Sequence, residues 1–287
     1  MQRNEKFLRR VASYAHKHAL WREGERILAA VSGGPDSLAL LLALKLLAVK
    51  EKINIGCCCV NHHLRAAAGK EAEFVESVCR EWNIPFILKE VDVQSAVRNG
   101  GSIETAARDF RYKALREAAR GGRYAKIAVA HHGDDQAETV LYHLLRGSGV
   151  TGLSGMKPIN GDIIRPFLCV SKNEIKDFLK DFSYVPCHDE SNDVEDAIRN
   201  RIRLSLVPEL ISYNPRVTES LRRTADIFRE EDLFMEEKAD VFISSCVEHD
   251  NDKCVFFIAY FLALHIALQR RVIRKICCMA VSYTHLT

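Results

Sequence analysis

A run of small residues between two apolar segments constrains this sequence more than any other feature. Residues 27–31 are apolar, with charge before and glycine after, and predict a buried strand of a parallel sheet. Residues 36–47 are rich in leucine and alanine and predict a buried helix. The glycines between them allow close backbone approach, and N–H groups at a helix start bind anions. The sequence therefore predicts a phosphate-binding loop. Its residues are Ser32, Gly33, Gly34, Pro35, Asp36 and Ser37.

Asp36 distinguishes this loop from the commoner phosphate loop, which has a lysine after its last glycine. A carboxylate beside a polyphosphate is expected if it holds Mg²⁺, because the cation neutralises phosphates that the carboxylate would otherwise repel. The alternative is an ordinary strand-to-helix turn of an α/β protein. The complete Ser-Gly-Gly-Pro-Asp-Ser string favours the phosphate site.

The segment Ser32–Ser37 resembles the signature of the N-type ATP pyrophosphatases. These enzymes cleave ATP between the α and β phosphates and pass AMP to a carbonyl oxygen. The resemblance implies that ATP is a substrate, but several enzyme groups share the signature, so the acceptor stays open.

A second polar cluster follows the strand predicted at residues 127–130. His131 stands at the strand end, and Asp134 and Asp135 open the next helix. Ligands of open parallel sheets bind at the carboxyl ends of the strands. We expect Asp135 to act with Asp36 around Mg²⁺ and the phosphates. We expect His131 to contact the adenylate or to steer a proton, unless it is a buried histidine with satisfied hydrogen bonds.

Two groups of arginines are candidate anion sites. Arg108 and Arg111 are three residues apart on a predicted helix and share a face suited to a phosphate or a carboxylate. Residues 199–229 contain seven arginines and only three acidic residues, although the net charge of the whole chain is only +3. Arginines of this kind contact RNA phosphates or stack on bases, whereas a solvated helix face is the alternative. The candidates in this segment are Arg199, Arg201 and Arg203.

The ten cysteines include no Cys-x-x-Cys pair. Three of them are consecutive on a predicted strand, at residues 57–59, and cannot all face one metal because alternate side chains point to opposite faces. We expect buried thiols in a reducing compartment. The first ten residues are polar and charged, so we expect a soluble cytoplasmic protein rather than a secreted or membrane-bound one.

Several segments in order resemble the tRNA(Ile)-lysidine synthetases, and the resemblance spans Ile27 to Arg274. It implies ATP-dependent ligation of L-lysine to C2 of the wobble cytidine of tRNA(Ile) with a CAU anticodon, through an adenylated intermediate. It also implies that Arg111 acts beside Asp36, His131 and Asp135. A homodimer is left open. The resembling segments are Asn61–Arg65, residues 69–78, Ala107–Tyr112, Arg146–Met156, Asp189–Asn192 and Arg199–Arg203.

We expect a Rossmann-like open parallel sheet with helices on both faces, followed by a smaller all-helical domain. The expected pyrophosphatase domain covers residues 1–212, and the expected helical domain for tRNA or substrate binding covers 213–287. The resemblance stops after Lys275, so we expect a truncated chain or a foreign tail over 276–287. The alternatives are a tRNA thiolase, which adenylates a similar carbonyl but delivers sulfur, and a nucleotide-binding protein without turnover.

Overall fold

The computed structural model describes residues 2–61, 68–91, 103–184, 186, 197–250 and 253–284. A six-stranded sheet has the strand order β3-β2-β1-β4-β6-β5. Every pairing in it is parallel except that of β5 with β6. The strands are β1 (Arg26–Ala30), β2 (Asn54–Asn61), β3 (Phe86–Glu90), β4 (Lys126–Ala128), β5 (Ile159–Asn160) and β6 (Ile163–Ile164).

Helices connect these strands and continue beyond them. A 3₁₀ turn (Pro166–Cys169) follows the sheet, and a π-helical turn (Ile202–Leu206) joins two of the later helices. The α-helices are α1 (Gln2–Lys17), α2 (Pro35–Glu51), α3 (Ala68–Glu81), α4 (Ile103–Gly121), α5 (Gly133–Leu145), α6 (Val150–Leu153), α7 (Lys172–Leu179), α8 (Ala197–Arg201), α9 (Val207–Tyr213), α10 (Val217–Cys246), α11 (Ile258–Leu262) and α12 (Ile266–Thr284).

The sheet has a separate core on each face, as the alternation of strand side chains requires. On one face, Ile27 and Cys57 pack with α1, α2, α3 and α7. On the other face, Leu28 and Cys58 pack against α4. Because α2 is apolar on all sides, residues 37–44 of this helix are buried throughout. The predicted Rossmann-like sheet with helices on both faces is confirmed.

The connections of the chain fix where a ligand can bind. From β1 the chain moves outward through β2 to β3, then crosses back to β4 on the other side of β1. The neighbouring strands β1 and β4 thus form the switch point, where an open α/β sheet leaves a crevice at its carboxyl edge. The loop after β1 and the loop after β4 both border this crevice. These loops carry the two clusters predicted from the sequence.

Two details of the structure add to the expected fold. Strand β6 is not the edge strand of the sheet but lies one place inside the antiparallel strand β5. Pro166 ends it early, because proline has no N–H for the ladder and instead opens the 3₁₀ turn. The C-terminal region is helical, as expected, but it also contains an antiparallel hairpin of Val247–Asp250 (β7) and Lys253–Phe256 (β8).

The described chain divides into two compact units. One consists of residues 1–142 and 156–222, and the other of residues 143–155 and 223–287. The second unit has its own apolar cluster, in which Phe242 and Val272 are buried, with Phe256 of the hairpin packed against it. The expected domain boundary between residues 212 and 213 stays a prediction. None of the helices in the described part of the chain is both long and apolar enough to cross a bilayer.

Candidate active site

The loop between β1 and α2 is held in shape by its own serines. The N–H of Ser32 donates to the hydroxyl of Ser37 at 3.2 Å. That hydroxyl donates to the carbonyl of Gly34 at 3.0 Å. Gly33 has a φ of +90°, a conformation that side chains with a Cβ rarely adopt. Ser37 is buried, and its hydroxyl holds the loop in this conformation through these two hydrogen bonds.

The start of α2 supplies the donors for an anion. Pro35 is the first residue of the helix, and the N–H of Leu38 makes the first helical hydrogen bond, to the carbonyl of Gly34 at 3.0 Å. The N–H groups of Asp36 and Ser37 precede this bond, in the turn that a helix leaves without internal partners. The partial positive charge of the helix start adds to their attraction for a phosphate.

Replacing Gly33 with alanine is expected to reshape the loop and to weaken ATP binding about tenfold, or about 1.4 kcal/mol. The strain of a Cβ at this φ costs ~1–2 kcal/mol. Isothermal titration with ATP measures the affinity. Gly24→Ala is the matched control, because Gly24 has a φ of +85°, precedes β1 and would meet no atom within 4 Å. Equal losses of ATP affinity in both variants would contradict the assigned role of the loop.

His132 and Asp135 cap the start of α5 together. The carboxylate of Asp135 accepts the backbone N–H of His132 at 2.9 Å. In return, the backbone N–H of Asp135 donates to Nδ1 of His132 at 3.4 Å. This is the reciprocal pattern of a capping box, with histidine in the place of serine or threonine. With Nδ1 accepting, a neutral His132 carries its proton on Nε2.

The ring of His132 lies among three carboxylates. Nε2 is 3.7 Å from Asp36, and Nδ1 is 3.6 Å from Asp134 and 3.5 Å from Asp135. Asp134 also accepts the backbone N–H of Lys172 at 2.7 Å, so it caps α7 rather than its own helix. The two predicted metal ligands, Asp36 and Asp135, thus lie on either side of one imidazole.

In this cluster, Asp36 is the residue whose carboxylate can still accept a hydrogen bond or bind a cation. Its Oδ1 is buried and has no hydrogen-bond partner among the described residues. Burial raises the pKa of Asp36, and the charge of Asp135 acts in the same direction, while His132 and Lys172 oppose the shift. A buried acceptor without a donor is costly unless a ligand satisfies it.

Arg203 contacts Asp135 of this cluster and a further acid, Glu138. It donates two hydrogen bonds of 2.9 Å to the carboxylate of Glu138, and its guanidinium is 3.5 Å from Asp135. Burial raises the pKa of Glu138, and the hydrogen bonding and charge of Arg203 oppose that shift. Arg203 lies in the π-helical turn, a deviation from α-helix that occurs frequently at functional sites.

His131 lies beside the same cluster but in a different environment. Burial lowers its pKa to about 3, against the opposing charge of Asp135. The positive charges of Arg165, Arg108 and Arg111 lower it further. Its Nδ1 is buried without a hydrogen-bond partner in the described part of the chain. His131 is therefore a neutral imidazole at physiological pH, and one of its ring nitrogens has no hydrogen-bond partner among the described residues.

The comparisons with known proteins identify the family. A model of the PP-loop domain matches residues 3–210. A tRNA(Ile)-lysidine synthase of Petrotoga mobilis is 37% identical over 231 residues, which cover 78% of this chain and 74% of the relative. This chain belongs to the tRNA(Ile)-lysidine synthase family of PP-loop proteins. The lysidine synthase of Caldanaerobacter subterraneus is 36% identical over 94% of this chain.

Two further comparisons define the extent of the likeness. The chain spans 58% of the length of the Caldanaerobacter lysidine synthase. A U34-tRNA thiolase of Methanococcus maripaludis shares the fold, with a TM-score of 0.64 and 17% identity over 79% of this chain and 80% of that one. The PP-loop fold is therefore common to this lysidine synthase family and to a thiolase.

The remaining predicted site residues of this chain are four arginines. Arg108 and Arg111 are exposed on α4, each with its guanidinium over the ring of Tyr112. The guanidinium carbon of Arg199 lies 5.6 Å from the centre of the Tyr142 ring, and Arg201 is exposed. The catalytic role predicted for Arg111 stays a prediction. So do the roles in binding tRNA or phosphate that were predicted for the other three arginines and for Arg203. Residues 62–65 and 189–192, which carry part of the lysidine synthetase resemblance, lie outside the described residues.

Sequence reasoning missed His132 and Glu138 as members of this candidate site. The pattern itself held a signal for His132, because a residue with a side-chain acceptor followed three positions later by an acid is a helix-start pattern. Glu138 had no such signal. Its importance depends on Arg203, which is 65 residues away in the chain.

Proposed function

We propose that this chain carries the catalytic part of a tRNA(Ile)-lysidine synthase. In the proposed reaction, O2 of the wobble cytidine attacks the α-phosphorus of ATP and pyrophosphate leaves. The side-chain amine of lysine then attacks C2 and loses a proton, and the C2–O bond breaks to release AMP. The observation that carries the proposal is the meeting of the Asp36 loop and the His132–Asp135 cap at the switch point of a chain belonging to this family.

The loop from Ser32 to Ser37 would bind the phosphates of ATP. Its backbone N–H groups suit the β and γ phosphates, which leave as pyrophosphate. Asp36 would hold Mg²⁺, because its buried Oδ1 needs a partner and a hard oxygen ligand suits this cation. Bound there, Mg²⁺ would offset the charge of the departing pyrophosphate.

A magnesium site of this kind needs few protein ligands. Among the described residues, no group of three or more His, Cys, Asp or Glu side chains is arranged to hold a metal. Mg²⁺ is usually bound by one or two carboxylates together with substrate phosphates and water, so the carboxylates present fit it. Asp135 would be the second ligand, although one of its oxygens already accepts the N–H of His132.

His131 would contact the substrate rather than take up a proton. A group with a pKa of about 3 is a poor base near neutral pH, because general bases work best with a pKa near the working pH. The open Nδ1 of neutral His131 would instead accept a hydrogen bond from the adenylate or from the cytosine edge. Arg111 would act through its charge on this histidine and on the phosphates.

The proposal is tested by incubating the chain with ATP, radiolabelled lysine and an unmodified tRNA(Ile) transcript carrying a CAU anticodon. We expect label in the RNA and one pyrophosphate released for each lysine incorporated. Replacing the wobble cytidine with uridine in the transcript should abolish both signals. Asp135→Asn should lower pyrophosphate release about 100-fold, since it removes a charged ligand of the cation that offsets the charge of the reacting phosphates.

The other outcomes separate the alternatives. Release of pyrophosphate with transfer of sulfur rather than lysine would indicate a thiolase. Binding of ATP without pyrophosphate release would indicate a nucleotide-binding protein without turnover. Normal pyrophosphate release by Asp135→Asn would remove Asp135 from the proposed mechanism.

A further inference from the structure

A basic cavity of about 630 Å³ lies beside α4, against the β5–β6 edge of the sheet. Five of its lining residues are cations and two, Asp109 and Glu117, are acids. The cavity is large enough for a nucleotide-sized group. Exposed cations along a helix often form only a solvated surface, and a second, independent observation distinguishes a binding site from such a surface. The cationic lining residues are Arg108, Lys113, Arg116, Arg120 and Arg165.

Arg165 provides that observation. Its side chain comes from the residue after β6 and is only 6% exposed. One terminal nitrogen donates to the carbonyl of Lys157 at 2.8 Å. Its Nε is buried and has no hydrogen-bond partner within the described ranges. A buried guanidinium with an unused donor at a cavity wall fits a site for an anion.

The packing around Tyr112 concentrates further positive charge at this wall. Arg108 and Arg116 lie over the tyrosine ring at 5.4 and 6.0 Å. Burial lowers the pKa of Arg165, and the charge of Arg108 adds to this effect. Arg116 also pairs with Asp162 at 3.0 Å. The like charges that repel each other here are therefore Arg108 and Arg165, and an anion between them would relieve the repulsion.

The cavity extends away from the candidate active site. Two of its cations, Arg108 and Arg165, are close enough to His131 to lower the pKa of that histidine. From Arg108 to Arg120, the helix rise of 1.5 Å per residue gives a distance of about 18 Å. A basic strip of this length exceeds one phosphate and suits a chain of them.

We propose that this cavity, from Arg108 to Arg120 with Arg165 in its wall, binds the sugar–phosphate backbone of the tRNA substrate next to the nucleotide that is modified. The inference rests on the proposed function and names the path of the RNA away from the reacting base. Phosphates of ATP are the other source of the same chemistry, and the experiment separates the two.

The test removes two cavity cations that are remote from the carboxylate cluster. In the variant Lys113→Gln/Arg120→Gln, both changes fall on exposed positions of α4. The matched control is Lys70→Gln/Arg80→Gln, which removes the same two charges from exposed positions of α3. The probe is a fluorescein-labelled anticodon stem-loop RNA with the CAU sequence, and fluorescence anisotropy gives its Kd at several salt concentrations.

We expect the cavity variant to bind the RNA about tenfold more weakly and to lower the slope of log K against log salt by about 2, since each phosphate contact contributes about 1. The control should change neither quantity, and both variants should bind ATP as the wild type does. Equal RNA binding by both variants would overturn the inference, and so would a loss confined to ATP binding. If the wild type incorporates no lysine but RNA binding still depends on the cavity, the proposed function fails and the inference stands.

Discussion

Replacing Asp36 with asparagine is expected to lower the rate of pyrophosphate release about 10³-fold, because the amide cannot replace a charged ligand of the cation that offsets phosphate charge. The same change should stabilise the ligand-free protein by about 1 kcal/mol, as often occurs when a functional residue is exchanged. The reason is that Asp36 is a partly buried carboxylate whose Oδ1 is buried and has no hydrogen-bond partner among the described residues. Asparagine keeps the shape and removes the charge.

The pH dependence of this stabilisation follows from the pKa of Asp36. Burial raises that pKa, so the folded state favours the protonated acid. The stability that protonated Asp36 contributes to the folded state is lost as the pH rises through the raised pKa. The gain in melting temperature of Asp36→Asn should therefore be largest at neutral and alkaline pH. It should disappear below the ordinary aspartate pKa of about 3.9. In the wild type, pyrophosphate release should fall as the pH drops through the raised pKa.

The matched control is Asp134→Asn, which removes a charge at 3.6 Å from the same histidine. Its amide oxygen can still accept the N–H of Lys172, so pyrophosphate release should stay within about fivefold of the wild type, far less than the effect of a lost oxyanion donor. Calorimetry and a coupled pyrophosphate assay provide the two measurements. Wild-type turnover by Asp36→Asn, or equal losses in both variants, would contradict the assignment of Asp36 to the cation.

Arg203→Ala is expected to lower the free energy of unfolding by about 3 kcal/mol, because it leaves the buried carboxylate of Glu138 without its partner. Urea unfolding measures the effect. The control is Arg201→Ala, two residues away on an exposed position, which should change stability by less than about 0.5 kcal/mol. Pyrophosphate release should also fall for Arg203→Ala, since the guanidinium lies 3.5 Å from Asp135.

A second change distinguishes a lost ion pair from a lost contact surface. Adding Glu138→Gln to Arg203→Ala should restore most of the stability, because a buried amide is less costly than an unpaired carboxylate. The double-mutant cycle gives the coupling between the two residues directly. If Arg203→Ala weakens RNA binding without changing stability, Arg203 serves the tRNA, as its place in the basic segment first suggested.

Local pattern predicted much of the fold and half of the site. The strand, loop and helix around Ser32–Ser37 follow from apolar runs, glycine and proline over about twenty neighbouring residues, and the structure has them within a few residues of the expected limits. The carboxyl end of β4 was likewise recognisable from its histidines and acids. The edge of the sheet was less predictable. Strands of two residues, such as β5 and β6, are too short to show a period.

The sequence by itself determined the elements, the glycine-containing loop after β1 and the identity of the acids near it, because these depend on residues a few positions apart. Only the tertiary structure decided which partner each acid has. Asp134 caps α7, Asp135 pairs with His132, and Asp36 keeps a buried oxygen without a partner among the described residues. Arg203 and Glu138 also meet only through folding. Burial and pairing across long stretches of chain are properties of packing, and they set which carboxylate remains for a ligand.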